Sequence, residues 1–190
     1  MARKKSKDKR IGLLEAAAAA VAENGLSATT AQIAKAAGVA EGSLFTYFDT
    51  KDALFNELYM ALKTELLAVF MDRYPTQSGV RERARHIWNA NLDWGIAHPA
   101  RRKAMLQLSV SDKVTAENKR RGNEIFAVVY DVLKECITSP TLAALPLSFT
   151  GALLSTLADT TIEFILADPS DRERYGIAGF EAFWNAIHQG

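Results

Sequence analysis

The side chains of this 190-residue sequence best suited to chemistry cluster in two short runs near its N-terminal end. Glu41, Gly42, Ser43, Thr46 and Tyr47 fall on one side of a helix expected over 41–48, while Leu44 and Phe48 share the other at i, i+4. They are short or planar polar groups, matched to base edges and phosphate oxygens in a DNA major groove. Thr29 and Thr30 put hydroxyls at a helix N-terminus, where free backbone N–H groups favour a phosphate. Lys51 opens the next expected helix and can reach the same backbone. This chemistry is recognition, not bond-making. The sequence has no phosphate-binding Gly loop, no G-x-S-x-G and no H-E-x-x-H. His86, His98 and His188 are too scattered for a metal constellation, and Cys136 stands alone. No enzyme, cofactor or metal is expected.

The elements that must position these groups are helical. A first helix is expected from about Asp8 to Glu23, with Ile11, Leu14, Ala18 and Val21 on one stripe and Asn24-Gly25 as its stop. Thr29 opens a second helix, with Gln32 completing a capping box. Gly38-Val39-Ala40 joins that helix, 29–37, to the helix at 41–48, the spacing of a helix-turn-helix. Ile33, Ala37, Val39, Leu44 and Phe48 can close a small core over Leu14 and Val21. Thr50 caps a fourth helix whose stripe is Leu54, Leu58, Leu62, Leu66 and Val69. Five more helices are expected at about 79–97, 101–110, 112–137, 147–167 and 171–188, the last opened by a Ser170–Glu173 capping box.

Charge supports the same end of the chain. The net charge is +1, but residues 1–10 alone carry +5 and the remainder −4. Lys4 and Lys5 lie in this basic arm, suited to a polyanion's phosphates or minor groove. The charge-free stretch 137–158 contains Pro140, Pro146 and seven Ser or Thr residues, so it reads as a loop and a protein-buried helix, not a membrane span. A cytoplasmic protein is expected.

The run TTAQIAKAAGVAEGSLFTYFDTKDALF resembles the TetR family of bacterial transcriptional regulators. Its matching residues are Thr29-Thr30, Ile33-Ala34, Ala37-Gly38-Val39, Gly42-Ser43-Leu44-Phe45, Tyr47-Phe48, Lys51 and Leu54. The resemblance implies phosphate contacts from Thr30, Ser43, Tyr47 and Lys51, with Glu41, Gly42 and Thr46 nearest the bases. Phe45 departs from it, standing where such proteins commonly carry Tyr. Its ring either faces DNA without a phenol or packs. Glu41 is unusual against DNA unless it accepts from a cytosine amine.

The rest of the chain speaks less specifically. Polar groups interrupting apolar faces suggest a pocket for a small, mostly apolar ligand: Phe70, Trp88, Asn91, Trp94, Met105, Phe126, Tyr130, Asp159, Thr160 and Glu163. The last two helices suit a four-helix interface across a two-fold axis, through Phe149, Leu153, Phe164, Gly176, Gly179, Phe180, Phe183 and Trp184, the arrangement the resemblance also implies. The expectation is an all-α chain of about nine helices. Residues 1–51 form a DNA-binding domain with its basic arm, and 52–190 a ligand-binding and dimerisation domain. The partners expected are double-stranded operator DNA, a second copy and a small molecule. Two other readings stay open: a helical ligand- or partner-binding protein without operator binding, and an activator of the same architecture.

Overall fold

A computed structural model describes the backbone from Ala2 to His188 and the side chains from Asp8 to His188. Among these residues there are eleven α-helices, two 3-10 turns and no strand. They are α1 (Ala2–Asn24), α2 (Thr30–Ala36), α3 (Glu41–Leu44), α4 (Lys51–Met71), α5 (Val80–Ala97), α6 (Pro99–Val110), α7 (Ala116–Ile125), α8 (Ala127–Cys136), α9 (Pro140–Ala143), α10 (Leu147–Ala167) and α11 (Arg172–Ile187). They form two compact units, Met1–Glu65 with His98–Glu124, and Leu66–Ala97 with Ile125–Gly190.

The first unit holds the helix-turn-helix. Its α1 starts at Ala2, earlier than expected, because Lys and Arg are good helix formers. The buried stripe of α1 is Leu13, Ala17 and Val21, flanked by Ala16 and Ala20, whereas Ile11 is 46% exposed. Of the expected stripe, Ala18 and Val21 are buried, Leu14 is half-buried and Ile11 faces out, since the Ala16–Ala20 run has no periodicity of its own to fix the phase. Those small residues let α6 lie along α1. Thr29 caps α2 as expected: its hydroxyl accepts from the Gln32 amide at 3.2 Å, and the Gln32 side chain accepts from the Thr29 amide at 2.8 Å. Ile33, Leu44 and Phe48 are buried, while Ala37, Val39 and Leu14 are only half-buried. Thr50 caps α4 through a 3.0 Å bond from the Ala53 amide.

Helix α3 is shorter than the expected 41–48. After Leu44 the bonding tightens, with Thr46 N donating to Ser43 O at 3.2 Å and Tyr47 N to Leu44 O at 2.9 Å. Glycine, serine, threonine and bulky aromatics are weak helix formers, which accounts for the early end.

In the second unit α10 and α11 pack together, and both pack on α5. By length and composition α10 could cross a membrane, yet Thr150, Ala158, Thr161, Ile162 and Ile165 are packed inside the protein. It is not buried all round, because Phe149, Phe164 and Leu166 are exposed. The helix expected over 112–137 is divided at Phe126, whose φ of −87° and ψ of 10° interrupt it. The Ser170–Glu173 box does not form. Asp168 instead accepts from the Ser170 amide at 3.2 Å and caps a 3-10 turn, Pro169–Asp171, before α11.

Candidate nucleic-acid interface

The polar run collects on one exposed surface. Thr29, Glu41, Gly42, Ser43 and Thr46 are exposed, and Thr30 and Tyr47 are half-buried. No neighbour lies within 4 Å of a Cβ built on Gly42, so the start of α3 is open to a ligand. Phe45 is 46% exposed, so its ring is partly packed and partly open to the outside. The side chains of Lys4 and Lys5 lie outside the described residues.

Three contacts of this surface were not legible in sequence. The Thr30 hydroxyl donates to Glu41 Oε1 at 2.6 Å, tying the N-terminus of α2 to that of α3. This carboxylate also sits in the first turn of α3, where the helix dipole favours it. Lys51 Nζ donates to the Leu26 carbonyl at 2.9 Å and lies 5.2 Å from the Phe55 ring centroid. An ammonium has three donors, so others remain for a phosphate. Arg10 Nε donates to Glu57 Oε1 at 2.6 Å, and its Nη1 to the Tyr47 carbonyl at 3.1 Å. These hydrogen-bonded partners are 11 to 47 residues apart, so no local spacing announces them.

Next to Lys51, α4 is clasped by Asn56. Its amide nitrogen donates to the Asp52 carbonyl at 2.7 Å and the Lys113 carbonyl at 2.8 Å. Its oxygen accepts from the Thr115 amide at 2.9 Å and Asn118 Nδ2 at 2.7 Å. Both donors and both lone pairs of this buried amide are used. An open cleft of 720 Å³ lies beside it, lined by residues that include Asp52, Asn56, Glu57 and Asn118.

The other expected sites fare differently. Of the ligand residues, Met105 lies in the first unit and the remainder in the second. Phe70 and Phe126 are buried, their ring centroids 5.8 Å apart edge to face. Trp94 is also buried, and Tyr130 and Asn91 are half-buried. Burial pushes the Tyr130 hydroxyl above its ordinary pKa. Trp88 is fully packed: its ring stacks on Phe183 at 6.2 Å and its indole N–H donates to the Gly176 carbonyl at 3.1 Å. It is core, not a ligand wall. Asp159 is half-buried, and Thr160 and Glu163 are exposed.

The dimer residues need a similar correction. Phe180 is 0% exposed, and Phe183 and Trp184 are buried with it around Trp88, so these three close the chain's own core. Gly179 and Gly176 serve that core too, since a Cβ on Gly179 would overlap Thr161 Oγ1 and stand 2.8 Å from Trp88. Phe149 and Phe164 are exposed, and Leu153 is half-buried.

Residues 13–58, which run from within α1 to within α4, match the family model described as bacterial regulatory proteins, tetR family. An 82-residue stretch is 37% identical to the HTH-type transcriptional repressor KstR2 of Mycobacterium tuberculosis. The match covers 43% of this chain and spans 41% of that relative's length. Among solved structures, a TetR family transcription regulator from Marinobacter aquaeolei superposes with a TM-score of 0.85 at 22% identity, over 99% of this chain and 100% of the other. FadR of Bacillus subtilis, solved with stearoyl-CoA, gives 0.69 at 18% identity, over 94% and 99%. The helix-turn-helix segment is thus similar to the tetR family of bacterial regulatory proteins over residues 13–58, and the helical fold as a whole is shared with solved regulators of that kind.

Proposed function

We propose that this protein is a homodimeric transcriptional repressor of the bacterial cytoplasm that reads a near-palindromic operator and is released from it by a small, mostly apolar ligand. The observation that carries the reading is the exposed polar surface of α3 and the turn after it, in a chain whose residues 13–58 match the tetR model. Residues 1–51 serve as the DNA-binding domain and 52–190 as the ligand-binding and dimerisation domain. Thr29, Thr30, Ser43, Tyr47 and Lys51, with Lys4 and Lys5 of the arm, contact phosphates. Glu41, Gly42 and Thr46 face the bases, and Phe45 lies on the same DNA-facing surface. A dimer places two such surfaces about 34–36 Å apart, in successive major grooves.

Ligand release rests on a separate argument. FadR of Bacillus subtilis was solved with stearoyl-CoA, a ligand that joins a long apolar acyl chain to a charged nucleotide. Here the buried rings of Phe70, Trp94 and Phe126 and the half-buried Tyr130 hydroxyl, in the unit that excludes the helix-turn-helix, are the groups such a ligand would meet on opening that core. Coupling of that kind is typically about 1–3 kcal/mol and reciprocal, so operator DNA weakens the ligand by the same factor.

Selection of binding sites from random duplex DNA, followed by titration at two salt concentrations, tests the proposal. An enriched inverted repeat whose affinity falls steeply with salt supports it. No enrichment from protein shown to be free of bound ligand would sink it and leave the helical ligand-binding reading.

A further inference from the structure

We infer that Arg10 is a positioning residue for DNA recognition, not a phosphate contact: with Glu57 it clamps the turn after α3 against α1 and α4. The inference rests on the operator-binding reading above and deepens it.

One side chain makes every contact of the clamp. Arg10 lies on α1 and Glu57 on α4. Arg10 Nε donates to Glu57 Oε1 at 2.6 Å, and Nη2 donates to Glu57 Oε2. The third nitrogen, Nη1, donates to the Tyr47 carbonyl at 3.1 Å. The guanidinium carbon sits 4.8 Å from the centroid of the Phe48 ring. Only the planar fork of arginine can satisfy a carboxylate, a carbonyl and a ring face together.

The turn needs an outside hold. Helix α3 is a single turn, Glu41–Leu44, and the chain after it is kept by short-range bonds such as Thr46 N to Ser43 O. Those residues carry Phe45, Thr46 and Tyr47, the far end of the surface proposed to meet DNA. Arg10 fixes it at Tyr47 and Phe48. Isolated surface ion pairs contribute little, but a bidentate pair that also binds a carbonyl and a ring is a network. A guanidinium already neutralised by Glu57 also has little charge left to displace counterions from a phosphate.

The two roles predict opposite results for three variants: Arg10→Gln, Arg10→Lys and Glu57→Gln. Circular dichroism first confirms that each is folded. In the free protein, the clamp predicts faster hydrogen exchange at the Thr46, Tyr47 and Phe48 amides in all three, by about tenfold. Amides of α5 should not change. On the operator selected by the wild type, Glu57→Gln should weaken specific binding about tenfold although it removes a negative charge near DNA. Arg10→Lys should be as poor as Arg10→Gln, and the salt slope should match the wild type. A phosphate contact predicts instead tighter binding for Glu57→Gln, rescue by lysine, and a salt slope smaller by about 0.9 for Arg10→Gln. Any of those three results, or unchanged exchange at 46–48, overturns the clamp. Should the wild type select no operator, the proposed function fails by itself, and the exchange arm still decides the clamp.

Discussion

Gly38 takes a φ of 68° between α2 and α3, a left-handed conformation that costs an L side chain about 1–2 kcal/mol. Around it Val39 N donates to Ala34 O at 3.0 Å and Gly38 N to Lys35 O at 3.1 Å, the paired bonds of a Schellman ending. A Cβ on Gly38 meets nothing within 4 Å, so Gly38→Ala isolates the backbone term. It should lower stability by about 1 kcal/mol, read as a lower urea midpoint with an unchanged slope. A neutral result would mean that the turn relaxes out of the left-handed region. The glycine and the Thr29–Gln32 box were legible because both are local: the residue types and a spacing of three carry them. The Thr30–Glu41 bond and the tie from Lys51 to the Leu26 carbonyl were not, since each exists only after α2, α3 and α4 have met. They use side chains that sequence alone assigned to DNA.

Helices α5, α10 and α11 meet where Gly179 lets them approach. A Cβ there would stand 2.8 Å from Trp88 and overlap Thr161, whose hydroxyl is already bonded to the Leu157 carbonyl at 2.7 Å. Neither neighbour is a loose side-chain end. Gly179→Ala should cost about 1–3 kcal/mol and lower the melting temperature. Gly176→Ala, which meets only Leu92 at 3.6 Å, is the mild control. Two residues further along α11, Glu181 binds Arg85 at 2.8 Å and Arg81 at 2.6 Å, and these bonds hold its carboxyl below the ordinary value of 4.5. The unfolded chain therefore binds a proton there at a higher pH than the folded one. The stabilisation is complete above about pH 4.5 and is lost as pH falls through the lowered value. Glu181→Gln should flatten the acid limb of a melting-temperature profile and change its shape little above pH 6, by small amounts because the pair is exposed. Periodicity located α10 and α11 in the sequence, but not their inner faces. A helix rich in apolar residues on most sides offers no polar stripe to orient it, so Phe180, Phe183 and Trp184 were assigned to a partner when they close the chain's own core.

Phe149, Phe164 and Leu166 on α10 and Ile177 on α11 remain exposed in the single chain, on the two helices whose other sides are packed. Of the residues expected at a two-fold interface, Phe149 and Phe164 are the large side chains left exposed, and Leu166 and Ile177 join them on the same two helices. Phe164 is 56% exposed and lies beside Tyr175, with ring centroids 5.6 Å apart. Phe164→Arg should leave the fold intact, because that side chain contributes little to the core, yet place a charge at the centre of an apolar contact between copies. Light scattering should then report a monomer at concentrations where the wild type is a dimer. Operator affinity should fall with it by about a hundredfold or more, since a dimer gains its second half-site as an intramolecular event. Affinity for a single half-site should hold, because the surface at Ser43 and Thr46 belongs to the other unit. A Phe164→Arg protein that stays dimeric would move the interface away from α10. One that is monomeric but keeps full operator affinity would remove the need for a dimer, and with it the reading of a palindromic site.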